Sequence, residues 1–164
     1  MENDVTREMA GFERMAADLQ ARIAEQEEAF YSARVLEEAH HPRNLEAMLD
    51  PDGHGAARGR CGDIIEIFVR LDGARIELAT FMTDGCGPTV ACGSMLTAMA
   101  QGKTLDEAAA IDGGNLIIAL DGLPAEHVHC ATLAVAALRQ ALIHCGQKRC
   151  GTPSCPTDGA DLNE

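Results

Sequence analysis

Seven cysteines stand in a chain of 164 residues: Cys61, Cys86, Cys92, Cys130, Cys145, Cys150 and Cys155. Three of them sit where a folded domain can bring loops together. Cys61 opens Cys61-Gly62-Asp63 at the entry to a strand-like run. Cys86 lies in Asp84-Gly85-Cys86-Gly87-Pro88, and Cys130 follows His129 where the last helix is expected to begin. Glycine beside two of the thiols lets the backbone take unusual angles and leaves the sulfur uncrowded. A thiol at a helix N-terminus has its thiolate favoured by the dipole and by free N–H groups, and thiolate is the form that binds metal or attacks sulfur. The three are 25 and 44 residues apart, unlike the close pairs of a zinc ribbon. Spacing alone therefore leaves open a shared metal or cluster site and three unrelated thiols. Position favours the former, because free structural cysteines are usually buried inside elements.

The elements that must position these thiols are legible in part. Asp63–Leu71 puts Ile65, Ile67, Val69 and Leu71 on one face, with Glu66 and Arg70 on the other. Asp72-Gly73, the preferred dipeptide of a two-residue turn, follows. Arg75–Met82 then alternates, Ile76, Leu78 and Met82 against Arg75 and Glu77, which completes a hairpin. A helix is expected from about Thr89 to Gln101, stopped by Gly102. Thr104 with Glu107 makes a capping box for a short helix near Leu105–Ala110. A long helix is expected from about Cys130 to His144, closed by Gly146. A hairpin followed by helices reads as α+β: a small antiparallel sheet of about three strands with helices packed on one face. Ahead of this domain, Val5, Met9, Phe12, Ala16, Leu19, Ile23 and Phe30 form one apolar seam, with Gln26 interrupting it. The chain thus divides into an amphipathic N-terminal helix (1–30), a compact domain (31–146) and a cysteine-containing tail (147–164) expected to be flexible.

Composition narrows the function classes. Aromatic residues make up 3% and tryptophan is absent, so the core must be built from Ala, Val, Ile, Leu and Met. A formal net charge of −13 repels nucleic acid phosphates and anionic membranes, and it favours basic protein surfaces as partners. Apolar stretches such as Ala131–Ile143 are shorter than the roughly 18 residues of a membrane span. Glu2, Asp4, Arg7 and Glu8 interrupt any leader-like apolar run, so a cytoplasmic location is expected. An odd number of cysteines in a reducing compartment argues for thiol or metal chemistry rather than a disulfide framework.

Several motifs together resemble IscU/NifU-type iron–sulfur cluster scaffolds. They are Tyr31-Ser32-x-x-Val35, Pro42-Arg43-Asn44, Cys61-Gly62-Asp63 leading into a hairpin, Gly85-Cys86-Gly87, Gly102-Lys103-Thr104-Leu105-x-Glu107-Ala108, and Leu123-Pro124 followed by His129-Cys130. They stand in the family's order over about 115 residues, from Tyr31 to Cys145. The resemblance implies a scaffold and transfer protein rather than a turnover enzyme. It implies that Cys61, Cys86 and Cys130 hold a transient 2Fe–2S cluster, with Asp63 and His129 beside them. A cluster normally takes four ligands, mostly thiolates, so a three-thiolate set leaves one exchangeable position. By the same resemblance Asp63 keeps the cluster labile. A cysteine desulfurase delivers persulfide sulfur, with Cys130 the preferred acceptor, and apo iron–sulfur proteins receive the product. The same donors suit tetrahedral zinc, so zinc is expected in place of iron when iron and sulfide are scarce. A zinc-bound sulfur acceptor and a structural zinc protein are the rival readings. Relatives served by an Hsp70-type chaperone carry Leu-Pro-Pro-Val-Lys, where this chain has Leu123-Pro124-Ala125-Glu126-His127, which argues against that partner.

Other signals carry less. Gly102-Lys103-Thr104 resembles the end of a phosphate-binding loop, but the position of its first glycine is Thr97 and a helix precedes it, so nucleotide binding is rejected. The resemblance gives Lys103 a role at the site's edge, against the plain reading of a solvated lysine. Cys92 reads as a buried small hydrophobe. Cys145, Cys150 and Cys155, with His144 adjacent, could take a second metal, relay persulfide or do neither. His40 and His41 read as solvated side chains before a turn, and His54 as a loop residue. The N-terminal seam is expected to self-associate, dock a partner or pack on its own domain.

Overall fold

Alternation of apolar residues along Ile64–Asp72 and Arg75–Thr83 produces the two long strands of a computed structural model that describes residues 2–60 and 62–150, with side chains over 9–60 and 62–148. These strands, β2 and β3, pair antiparallel, and β1 (Gly53–Arg58) adds on the other edge of β2 to give the order β1-β2-β3. Ile65, Ile67 and Val69 are buried on one face, as the alternation requires. The turn lies one residue later than expected, at Gly73-Ala74, because Asp72 and Arg75 still pair. Arg70 faces Leu78 while Leu71 faces Ile76, so Glu77 bulges out of register. The bulge inverts the phase of β3. Ile76 points inward, but Ala79 and Phe81 follow it into the core, while Met82 is exposed.

The helices cover that inner face. They are α1 (Glu2–Phe30), α2 (Ala33–His40), α3 (Gly87–Ala100), α4 (Leu105–Ala109), α5 (Gly113–Ala119) and α6 (Val128–Cys150), with a short 3-10 turn at Ala125–His127 before α6. The architecture is α+β with a three-stranded antiparallel sheet, as expected. α3 stops before Gly102, which takes φ +77°, and α4 begins at the reciprocal Thr104–Glu107 capping box. Asp112 and Asn115 make a second capping box that opens α5, an element the sequence reading passed over.

β1 was also missed, because Gly53-His54-Gly55-Ala56-Ala57-Arg58 carries no apolar alternation. Its glycines serve a close approach instead. A Cβ at Gly53 would lie 2.2 Å from Cys145 Sγ, and one at Gly55 would lie 2.2 Å from the Ala137 carbonyl oxygen. α6 thus lies directly on the β1 backbone. That contact, together with the Lys148 ammonium donating to the Pro51 carbonyl at 2.8 Å, carries the helix through Gly146, where it was expected to end. By length and composition Ala125–Lys148 could cross a membrane, but 56% of its most apolar stretch is buried within this domain, as befits a core helix. His54 is a strand residue rather than a loop residue. Its ring stacks on Phe68 at 4.8 Å and its Nε2 meets Glu66 Oε2 at 2.9 Å.

Pro42-Arg43-Asn44 acts as a clamp between layers. Glu38 on α2 is only 3% exposed, and the Arg43 guanidinium bonds both its carboxylate oxygens, Nε to Oε2 at 3.1 Å. Ser94 of α3 donates to the same carboxylate and accepts from the Arg43 backbone N–H at 2.8 Å. The Asn44 carbonyl accepts from Phe81 N–H at 2.9 Å. One short segment therefore joins α2, α3 and β3.

α1 makes its main packing contact with α2. Its seam lies open, with Phe12 70% and Leu19 56% exposed. Residues 151–164, Cys155 among them, lie outside the described residues.

Candidate metal centre

The site forms where two chain reversals and the start of α6 meet at one end of the sheet. Cys86 is the N-cap residue of α3, in extended backbone, with its side chain free of any capping bond and exposed. Gly85 permits the turn: a Cβ there would stand 2.8 Å from the Thr89 side chain and 3.0 Å from Asp63 Oδ2. Asp84 Oδ1 accepts from Ile64 N–H at 2.7 Å, which ties the loop before β2 to the loop after β3. Asp63 is thereby brought beside Thr89. Cys130 lies in the first turn of α6 and is 1% exposed.

Among the described residues, one trio of donors converges. Ligand atoms of Cys86, His127 and Cys130 all lie within 4.8 Å of one another. Two thiolates and an imidazole are an ordinary donor set for zinc or iron, and such a spacing needs only small side-chain adjustments to enclose an ion. Thr89 sits at the centre, fully buried. Its hydroxyl lies 3.4 Å from Cys130 Sγ, 3.6 Å from Cys86 Sγ and 3.5 Å from Asp63 Oδ2. His129 is exposed, its Nδ1 donating to the Glu126 carbonyl at 2.7 Å and its Nε2 lying 3.7 Å from Cys130 Sγ. Of the expected site residues, then, Cys86 and Cys130 come together, Asp63 is joined to them through Thr89, and His129 flanks Cys130. Cys61 lies outside the described residues.

The sequence reading missed two residues here. His127 was read only as a departure from the chaperone motif. Its distance of three residues from Cys130, which puts both on one side of a helical turn, was the available signal. Thr89 was taken as a helix start, and nothing in its type points to the site. Tyr31 closes the edge, its hydroxyl 3.1 Å from His127 Nε2. Burial pushes the Tyr31 hydroxyl above its ordinary pKa, and the neighbouring Cys86 and Glu126 add to that, so it keeps its proton. A cavity of about 230 Å³ leads to Cys86 past Tyr31, His40, Glu27 and His127.

The other cysteines separate from the site. Cys92 is buried in α3, and its thiol is pushed far up, first by desolvation and then by Cys130 and Cys86, so it is held neutral as a core residue. Cys145 is fully buried against Gly53, which removes it from an accessible second metal site. Lys103 is not at the edge of the site. Its carbonyl accepts from Ile76 N–H at 2.8 Å, at the hairpin end of β3. The site lies beyond Thr83, roughly 23 Å along the strand at 3.3 Å per residue.

Residues 30–151 match the family described as the NifU-like N terminal domain. Iron-sulfur cluster assembly scaffold protein IscU 1 of Archaeoglobus fulgidus is 40% identical over 114 residues, covering 69% of this chain and 74% of that protein. Iron-sulfur cluster assembly scaffold protein IscU of Escherichia coli K12 is 35% identical over 124 residues, covering 73% and 96%. Among solved structures, the N-terminal part of a nitrogen-fixing NifU-like protein from Brucella abortus superposes with a TM-score of 0.57 at 17% identity, over 71% of this chain and 94% of that one. At that identity the likeness speaks for the fold alone. With identities of 35–40% to two IscU proteins and a match over residues 30–151, the chain belongs to the NifU-like N-terminal domain family.

Proposed function

We propose that the protein is a scaffold on which an iron–sulfur cluster is assembled as cargo and from which it passes to apo-proteins. The observation that carries this is the convergence of Cys86, Cys130 and His127 at an accessible end of the sheet, in a chain whose relatives are named as cluster scaffolds. Cys61 is the third thiolate in this reading, with Asp63 and His129 as the exchangeable donors beside a 2Fe–2S cluster. Asp63 supplies a hard oxygen next to soft sulfurs, which makes the iron easier to release.

Sulfur arrives as a persulfide from a cysteine desulfurase. The acceptor thiolate attacks the outer sulfur, the S–S bond breaks, the donor leaves as its thiolate, and the sulfane sulfur stays on the acceptor as a new persulfide. Cys130 is the proposed acceptor. Since it is 1% exposed, the Ala125–His127 turn must open first, whereas the exposed Cys86 meets an incoming persulfide directly. Each sulfane sulfur then takes two electrons to become sulfide, which an added dithiol supplies in vitro. The −13 charge fits basic protein partners in the cytoplasm, and the open seam on α1 serves self-association or docking.

The trio also supports a second reading, a zinc-bound sulfur acceptor that forms no cluster. Anaerobic incubation with a desulfurase, cysteine, dithiol and ferrous iron separates the two. Visible sulfide-to-iron charge-transfer absorption is expected from the scaffold. Persulfide on the protein without colour supports the zinc-bound acceptor, and neither product leaves only a structural metal site.

A further inference from the structure

We propose that His127 supplies the nitrogen donor of this metal site through Nδ1, with the Tyr31 hydroxyl holding the ring from its other side. The inference rests on the reading that the thiols of Cys86 and Cys130 take metal, and it names the imidazole that joins them.

Two histidines stand near Cys130, and the geometry separates them. His127 lies with both thiols inside a 4.8 Å limit, which His129 does not meet. Zinc needs about 2.3 Å to each sulfur and about 2.0 Å to nitrogen, so its donors stand roughly 3.5 Å or a little more apart. His127 reaches that with a small ring movement.

The hydrogen bonds of His127 choose the atom. Nε2 is engaged by Tyr31 at 3.1 Å, whereas Nδ1 is buried and has no hydrogen-bond partner. If Nδ1 carried the proton, a buried donor would be left unpaired, which is costly. With the proton on Nε2, donated to the Tyr31 oxygen, Nδ1 holds a lone pair in a buried position beside two thiols. A metal ion satisfies that lone pair. An imidazole that binds metal with one nitrogen and donates through the other to a fixed partner is the usual arrangement for a ligating histidine. Phe30 and Tyr31 pack on the ring, with centroids 6.4 and 5.7 Å away, and fix its plane. His129 remains on the solvent side, held by the Glu126 carbonyl. In the motif of chaperone-served relatives the position of His127 is a lysine, so the donor is a property of this chain.

The test uses the full chain freed of metal, titrated with zinc against a chromophoric chelator, and X-ray absorption of the zinc form. His127→Ala should weaken zinc by more than about 100-fold, beyond the 10–100-fold typical of losing an outer partner, and should remove the imidazole scattering. Tyr31→Phe should weaken zinc by about 10-fold and keep that scattering. His129→Ala, at an exposed residue, should leave affinity within about threefold and the imidazole signal intact. Loss of the signal in His129→Ala overturns the assignment, even where His127→Ala fails to fold. Retention of affinity and signal in a folded His127→Ala does the same while leaving the metal site standing. If the unaltered chain binds no zinc, the metal reading itself fails and this assignment falls with it.

Discussion

Arg43→Ala tests the inter-layer clamp most sharply. The substitution leaves the Glu38 carboxylate, 3% exposed, with the Ser94 hydroxyl as its remaining partner from this network. Breaking a fully buried pair from one side costs about 3–5 kcal/mol. The Arg43 side chain is half exposed, so solvent screens part of the interaction and about 2–3 kcal/mol is the fitting expectation. Against a total stability of about 5–15 kcal/mol this is a large fraction. At roughly 4 °C per kcal/mol for a domain of this size, melting should fall by about 8–12 °C. Urea unfolding followed by circular dichroism reads the loss directly. Glu38→Gln in the same chain keeps hydrogen bonds to Ser94 while removing the stranded charge, so the double variant should recover about half of the loss. A loss under about 0.5 kcal/mol in Arg43→Ala, or no recovery in the double variant, would refute the reasoning.

Three further outcomes are expected. In metal-free native protein, iodoacetamide should modify Cys86 promptly and Cys92 and Cys145 far more slowly. If opening costs about 3 kcal/mol the difference is about 100-fold, read by peptide mass mapping, and equal rates would contradict the burial. Asp63→Ala should retain a reconstituted cluster longer and transfer it more slowly, and faster release would defeat the role given to its carboxylate. A chain beginning at Tyr31 should still assemble a cluster while its solution mass or desulfurase affinity changes. Glu27 lines the cavity at Cys86, so sulfur uptake is the step that such a truncation should alter first. A folded truncation unable to hold a cluster would place α1 within the site.

The parts of the fold legible in the sequence are those that bury apolar side chains periodically or cap their own ends: β2, α3 and the Thr104–Glu107 start of α4. β1 was illegible because its inward positions are Gly53 and Gly55, chosen for the helix backbone that lies on them rather than for apolar area. The phase of β3 was misread beyond Glu77 because one extra residue turns every following side chain to the other face. At the site, Cys86 and Cys130 were found because thiols at element ends are uncommon. Thr89 and Tyr31 escaped because their part depends on where the chain folds them, and residue type alone carries no trace of it. His127 was visible at three residues from Cys130 but was weighed only as a departure from a docking motif.

Holding a cluster is shared by storage and electron-transfer proteins, whereas handing it on is what defines a scaffold. The most direct measurement follows the circular dichroism of the anaerobically reconstituted protein after mixing with an apo-ferredoxin, with Cys86→Ser carried through the same reconstitution. The account predicts that the visible signal of the loaded protein decays while the ferredoxin's signal rises in proportion, and that Cys86→Ser forms no cluster to pass on. A cluster that forms in Cys86→Ser as readily as in the unaltered chain, or that stays on the protein in the presence of the acceptor, would contradict it.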